Sequence, residues 1–264
     1  MANDYEVFRS IVLRRRSIRR YTDEPVSREE IMKICDTAHY AMSGGNSQPW
    51  EFLIVTDPAR ITQIRQAYAA GDFTYTYWLE QQRAAEYRHP QFDFSPEELS
   101  QRAEQITQEL NAPALICLLY DPRKQFGSVL AARADLNGGD RSVVSSSMAH
   151  LSMLVQLTAA SLGLQSAVCY SNEQAGYRKI LEYPEPIMLY SIACIGHGAY
   201  HPGPPLRLPL ETMMHYETYD SRRFLSGQEA LEYIRTVHGR HGSLETAAQK
   251  AQHAPDAETE AADR

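Results

Sequence analysis

Arg14, Arg15, Arg16, Arg19 and Arg20 crowd together near the start of a chain whose formal net charge is −7. A local concentration of cation in an acidic protein calls for a local anion. Guanidinium groups match phosphate geometry in a bidentate way and stay charged at any working pH, and Ser17 between them can bond a sugar-like hydroxyl. Alone, the cluster also fits a solvated basic helix end. A second stretch, Ser43-Gly44-Gly45-Asn46-Ser47-Gln48-Pro49-Trp50, combines glycines that let backbone approach a ligand closely with two amide side chains, Asn46 and Gln48, suited to the edge of a heterocycle. It also fits an ordinary loop between a helix and a strand. Arg207, after the proline-rich run His201-Pro202-Gly203-Pro204-Pro205, is a third and weaker element.

Other chemistries find little purchase. No G-x-S-x-G elbow, Walker loop or H-E-x-x-H motif occurs, and Gly196-His197-Gly198 is only a fragment of a dinucleotide fingerprint. No metal site is expected. Cys35, Cys117, Cys169 and Cys194 are scattered through apolar segments without ligand-like spacing, so they read as reduced core thiols of a cytoplasmic protein. The acidic balance argues against nucleic acid. No apolar run is expected to span a bilayer, and the polar N-terminus lacks a signal-peptide layout.

The positioning elements follow from periodicity. Tyr5, Phe8, Ile11 and Val12 predict an amphipathic helix over 4–15 that runs into the arginines. Ser27 and Glu30 form a capping box ahead of a second helix, with Ile31, Ile34, Cys35, Ala38 and Met42 as its apolar stripe and an end near Ser43–Asn46. Buried strands are expected at Phe52–Val55, Ala114–Tyr120, 165–169 and 188–195, with short helices after Asp57-Pro58 and at 173–181. Val143–Leu162 reads as a long apolar helix ending at Gly163, buried all round in a core or at a subunit interface. The aromatic, partly helical stretch 71–110 reads as a lid-like excursion. One domain over 1–238 is expected, with 199–238 as a C-terminal arm and the apolar-poor residues 239–264 as a disordered tail.

Taken in order, R-R-S-x-R at 15–19, S-G-G-N-S-Q-P-W at 43–50, A-P-A-L-I-C-L-L-Y-D-P at 112–122 and the apolar helix ending L-G-L at 162–164 resemble the nitroreductase family of flavoproteins. The resemblance spans Phe8 to Glu217. It implies an α+β fold, with a central mixed or antiparallel sheet flanked by helices, in an intertwined homodimer binding FMN at the interface. Arg15 and Arg16 are then expected at the flavin phosphate and ribityl chain, Ser17 on the ribityl chain, and Arg19 near the pyrimidine end of the ring. Ser43, Asn46 and Gln48 match the loop that reaches the flavin from the partner subunit, with Gly45 beside the substrate. Arg207 matches a second phosphate-binding arginine, and Val168 and Cys169 fall in the strand-end stretch whose backbone faces the flavin N5.

The sequence departs from the pattern at Met42, where proline is usual, and in the length of 71–110. In a dehalogenating branch of the family a lid there clasps an amino-acid zwitterion; Glu80, Glu86, Tyr87 and Arg88 are the candidates here. The expected activity is ping-pong transfer from NADH or NADPH, through FMN, to a nitroaromatic or quinone-like small molecule. Reductive dehalogenation, oxygen-dependent oxidation and a non-catalytic FMN-binding module are the alternatives.

Overall fold

The computed structural model describes residues 3–84, 88–126, 129–130, 141–171, 173–202, 207, 210–230 and 232–233. By internal contacts the chain divides into a larger unit, Met1–Thr76 with Ser95–Gly203, and a smaller one, Tyr77–Phe94 with Pro204–Arg264. The larger unit is built on a four-stranded sheet in the order β1-β2-β6-β5, from β1 (Trp50–Val55), β2 (Ala114–Tyr120), β5 (Gln165–Tyr170) and β6 (Met188–Gly196). Every pairing is antiparallel, which realises the expected α+β class. A separate short pair, β3 (Lys124–Phe126) and β4 (Val129–Leu130), follows β2.

Composition explains the order. β2 reads Ala-Leu-Ile-Cys-Leu-Leu-Tyr and is buried on both faces, as a central strand covered twice must be. Its alternate residues part cleanly. Ala114, Ile116 and Leu118 pack with α2 (Arg28–Ala38) and α6 (Arg141–Ser161), whereas Leu115, Cys117 and Leu119 join α3 (Pro58–Tyr68) and α7 (Ala175–Leu181) on the other face. β1 was expected to be fully buried; it is an edge strand with Glu51 and Ile54 exposed.

α1 (Asp4–Arg14) forms as its spacing predicts, yet none of its residues is buried. The Ser27–Glu30 capping box starts α2 reciprocally, with 2.8 Å and 3.2 Å bonds. That helix stops at Ala38, so Met42 leaves the stripe and is exposed. α6 ends at Gly163, whose φ of 83° is the left-handed exit a helix favours. Its Val143–Ser161 stretch is long and apolar enough to cross a membrane by length and composition, against the sequence expectation. Here it lies on the sheet, with Met148, Leu151, Val155 and Ala159 fully buried. Within the single chain Ser145, Ala149, His150 and Met153 face outward, so burial all round would need a subunit interface.

In the 71–110 stretch, a π-helical turn (Ala69–Phe73) leads from α3 into α4 (Thr74–Gln81), and α5 (Leu99–Ile106) precedes a 3-10 segment, Thr107–Asn111. The π turn is pinned by buried Asp72, which accepts from the Tyr177 hydroxyl at 2.8 Å and from the Glu173 backbone at 3.3 Å. Of the expected 228–237 helix only 227–230 and 232–233 are described, all helical; 239–264 lie outside the described residues.

Candidate functional site

The arginine stretch is held by the sheet. α1 ends where Arg15 turns to φ −58° and ψ 122°, and the chain then runs beside β5. Ser17 bridges Ser166 in parallel, and the Ile18 amide donates to the Ser166 carbonyl at 3.0 Å. Extended backbone alternates, so Ile18 enters the core at 1% exposure while Ser17 and Arg19 face out. Tyr21 locks the next turn: its hydroxyl lies 2.7 Å from the Ile18 carbonyl and 3.1 Å from that of Cys194. Burial pushes this phenol far above its ordinary value, so it remains a donor.

Gly196 and Gly198 now have a structural reason. A Cβ on Gly196 would lie 2.7 Å from Pro113 Cδ and 2.9 Å from Tyr21 Cδ1, and one on Gly198 would lie 3.3 Å from Ile18 and Gln165. The G-H-G fragment lets β6 and the arginine segment approach. His197 and His201 stand four residues apart on non-helical backbone, and His197 pairs with Glu24 at 3.5 Å. No metal-holding group of His, Cys, Asp and Glu occurs among the described residues.

The arginines divide their work. Arg15 donates to Gln156 Oε1 on α6 at 3.4 Å. Arg16 folds back on the end of α1, donating to the carbonyls of Leu13 and Arg15, a favourable place for a cation at a helix C-terminus. Arg19 stays 59% exposed with its Nε 3.7 Å from Glu109 Oε2. Arg20 stacks over Tyr200, 5.1 Å from the ring centroid.

The glycine loop has the backbone its composition suggests. Gly45, Asn46 and Gln48 take φ of 53°, 56° and 43°, in the left-handed region where glycine and asparagine are tolerated best. All three side chains or positions are exposed. Ser43 is spent internally, its hydroxyl accepting from the Gln48 amide at 3.1 Å. The loop rests on α6 through Gly44 to Ser147 Oγ at 3.4 Å and His150 Nδ1 to the Met42 carbonyl at 3.2 Å. Those contacts lie six to nine residues before Gln156, about 9–14 Å along the helix axis.

Val168 and Cys169 obey the strand alternation. Val168 packs toward α6, while Cys169 is sealed on the opposite face at 2% exposure. The expectation for Cys169 concerns its backbone, and the burial of its side chain leaves that unchanged. At the end of the strand Tyr170 is exposed, and beyond it Glu173 accepts from the Gly176 amide at 3.0 Å to begin α7. Burial holds the Cys35 and Cys117 thiols up at about 11 and about 12, as inert core thiols require. All four cysteines are free.

Within the smaller unit, two of the four clasp candidates have internal partners. Glu80 accepts from the His89 amide at 2.9 Å and pairs with Arg83 at 3.4 Å. Arg88 donates to the carbonyls of Arg83 and Gln81. Glu86 and Tyr87 lie outside the described residues, and Arg207 is exposed. A cavity of about 440 Å³, lined by Arg65, Ala69, Thr74, Leu99 and Ala103 among others, includes none of the predicted site residues.

Sequence reasoning missed Glu109, Gln156 and Ser147. Glu109 is a lone acid before an apolar strand, and the other two are polar interruptions of an apolar helix; none carries a local signature.

A 61-residue stretch is 41% identical to a putative NADH dehydrogenase/NAD(P)H nitroreductase of Archaeoglobus fulgidus, covering 23% of this chain and 35% of that protein. A 59-residue stretch is 39% identical to an iodotyrosine deiodinase of Haliscomenobacter hydrossis, covering 22% and 27%. The matched stretches thus span about a third or less of these relatives. The crystal structure of an oxidised iodotyrosine deiodinase bound to FMN and 3-iodo-L-tyrosine superposes with a TM-score of 0.57 at 19% identity, over 80% of this chain and all of that one. At that identity the likeness is one of fold. The model described as Nitroreductase family matches residues 12–197, so the chain belongs to the nitroreductase family.

Proposed function

We propose that the protein is an FMN-dependent oxidoreductase that works as a homodimer, taking reducing equivalents from NADH or NADPH in ping-pong fashion and passing them to a nitroaromatic or quinone-like acceptor. The observation that carries this reading is the 15–19 segment stitched to β5. Its alternation buries Ile18 and turns Ser17 and Arg19 outward on a rigid sheet edge. Cations fixed on such an edge suit an anionic cofactor better than a flexible basic tail would.

The residues present fit FMN. Arg15, with Arg16, would hold the phosphate and ribityl chain, with Ser17 offering a hydroxyl to the latter. Arg19 would face the pyrimidine end, where a cation favours the electron-rich reduced ring. The left-handed loop at Gly45, Asn46 and Gln48 supplies amides on an exposed backbone. When bound, FMN itself supplies the hydride chemistry, so the chain needs only to bind, orient and exclude.

Two observations support a second copy. The loop and Arg15 meet α6 six to nine residues apart, about 9–14 Å along its axis, so one chain spreads its two motifs along that helix. Apolar side chains also stand uncovered beside them: Tyr5 and Phe8 on α1, Tyr40 and Met42 before the loop, and Met153 on α6. Large apolar side chains left this exposed are what a second copy would cover.

Reductive dehalogenation is the less supported reading, because Glu80 and Arg88 are committed to backbone partners. The test is anaerobic reduction of the FMN-reconstituted protein. Bleaching of the flavin by NADH or NADPH, and re-oxidation by a nitroaromatic or quinone, is the expected result. A flavin that binds but resists both nucleotides would point to the dehalogenating or non-catalytic alternatives.

A further inference from the structure

Glu109 is an acid paired with the arginine segment, in the middle of the 3-10 turn Thr107–Asn111 that leads into β2. Its side chain is only 14% exposed. One oxygen, Oε1, accepts from the Cys169 thiol on β5 at 3.6 Å. The other, Oε2, is buried with no hydrogen-bond partner, and Arg19 Nε stands 3.7 Å away, beyond hydrogen-bond reach but well within ion-pair range. Burying a carboxylate oxygen without a donor is costly unless a neighbouring charge compensates it. Arg19 is that charge, and it reaches outward to 59% exposure.

We propose that Glu109 is a positioning residue for Arg19: its carboxylate anchors the guanidinium on the sheet edge and offsets its charge, so protonation of Glu109 sets how much positive charge the site presents to a bound anion. The inference rests on the FMN reading above. The groups facing Glu109 are Arg19, Tyr21 from the same segment, Tyr68 from α3, Cys169 from β5 and Cys194 from β6. The two phenols and the Cys194 thiol are pushed up by burial and stay neutral, leaving Arg19 and Glu109 as the charges that vary or compensate. Burial raises the Glu109 carboxyl above its ordinary value, while Arg19 and the Cys169 thiol pull it back. Below that transition the pair carries one positive charge; above it, none.

The experiment measures FMN affinity of wild type and Glu109→Gln by quenching of flavin fluorescence at low ionic strength, from pH 5 to pH 8. The phosphate's own titration cancels in the ratio of the two dissociation constants. That ratio, wild type over variant, should rise about tenfold across the range, within the usual span of coupling between sites. The variant's reduced flavin should also be favoured about tenfold more than in wild type, which is about 30 mV in a two-electron potential. A ratio that stays flat with pH overturns the proposal. Where Glu109→Gln does not fold, Arg19→Gln, at an exposed site, replaces it: without the guanidinium that pulls the Glu109 carboxyl down, that carboxyl stays neutral to higher pH, so wild type should exceed the variant in affinity by more at pH 5 than at pH 8, and a constant advantage overturns the proposal. Failure of wild type to bind FMN at all would instead remove the underlying reading.

Discussion

Gly196→Ala is a direct test of how the arginine segment is held. The added Cβ would sit 2.7 Å from Pro113 Cδ and 2.9 Å from Tyr21 Cδ1. Ordinary carbon contacts begin near ~3.5 Å, so the Pro113 contact must open by about 0.8 Å and the Tyr21 contact by about 0.6 Å. Pro113 is locked at the entry of the fully buried β2. Tyr21 is the softer neighbour, but moving its ring loosens the hydroxyl contacts to the Ile18 and Cys194 carbonyls at 2.7 Å and 3.1 Å. Each such bond contributes about 1 kcal/mol, and overpacking a tight site costs about 1–3 kcal/mol. We therefore expect Gly196→Ala to lower stability by about 2–3 kcal/mol in urea unfolding, with an unchanged m-value. Because the strain falls on Tyr21, FMN affinity should weaken in the still-folded variant as well. A loss under about 0.5 kcal/mol, the size of an ordinary surface change, would refute this packing argument.

Other consequences follow from single contacts. Tyr177→Phe removes the 2.8 Å bond to buried Asp72 and should cost about 1.5–3 kcal/mol, read by urea unfolding; it should also loosen the π turn, seen as faster amide exchange at 69–73. Glu109 has a folded-state value raised by burial above its ordinary 4.5. Its share of stability is therefore present at pH values below the unfolded value and is lost as pH rises through the folded one. Glu109→Gln should abolish that decline in a pH series of unfolding free energies, and an identical pH slope in both proteins would count against it. Arg15→Ala should weaken FMN binding by about 1.5–3 kcal/mol, as for hydrogen bonds to charged groups, measured by flavin fluorescence; unchanged affinity would move the phosphate elsewhere.

How much of this was legible beforehand depended on whether the signal was local. The Ser27–Glu30 box, the Gly163 exit and the continuous apolar run of β2 are written in neighbouring residues, and each formed where expected. The arginine segment and the glycine loop were visible as chemistry, but their supports were not. Ser166, Gln156, Tyr21 and Glu109 come from distant parts of the chain. Cys169 shows the limit well: the strand could be placed from its apolar residues, whereas which face each side chain took depended on register with β6, leaving only its backbone available. The long apolar helix is a different case, since composition alone does not tell its sheet-packed face from the one left open in a single chain.

The central claim is that this chain binds FMN through the 15–19 segment. The most direct measurement titrates flavin-free protein with FMN while following flavin fluorescence, for wild type and Arg15→Ala together. The account predicts saturable quenching by one FMN per chain in wild type and markedly weaker binding in the variant. Absence of saturable binding in folded wild-type protein would contradict it.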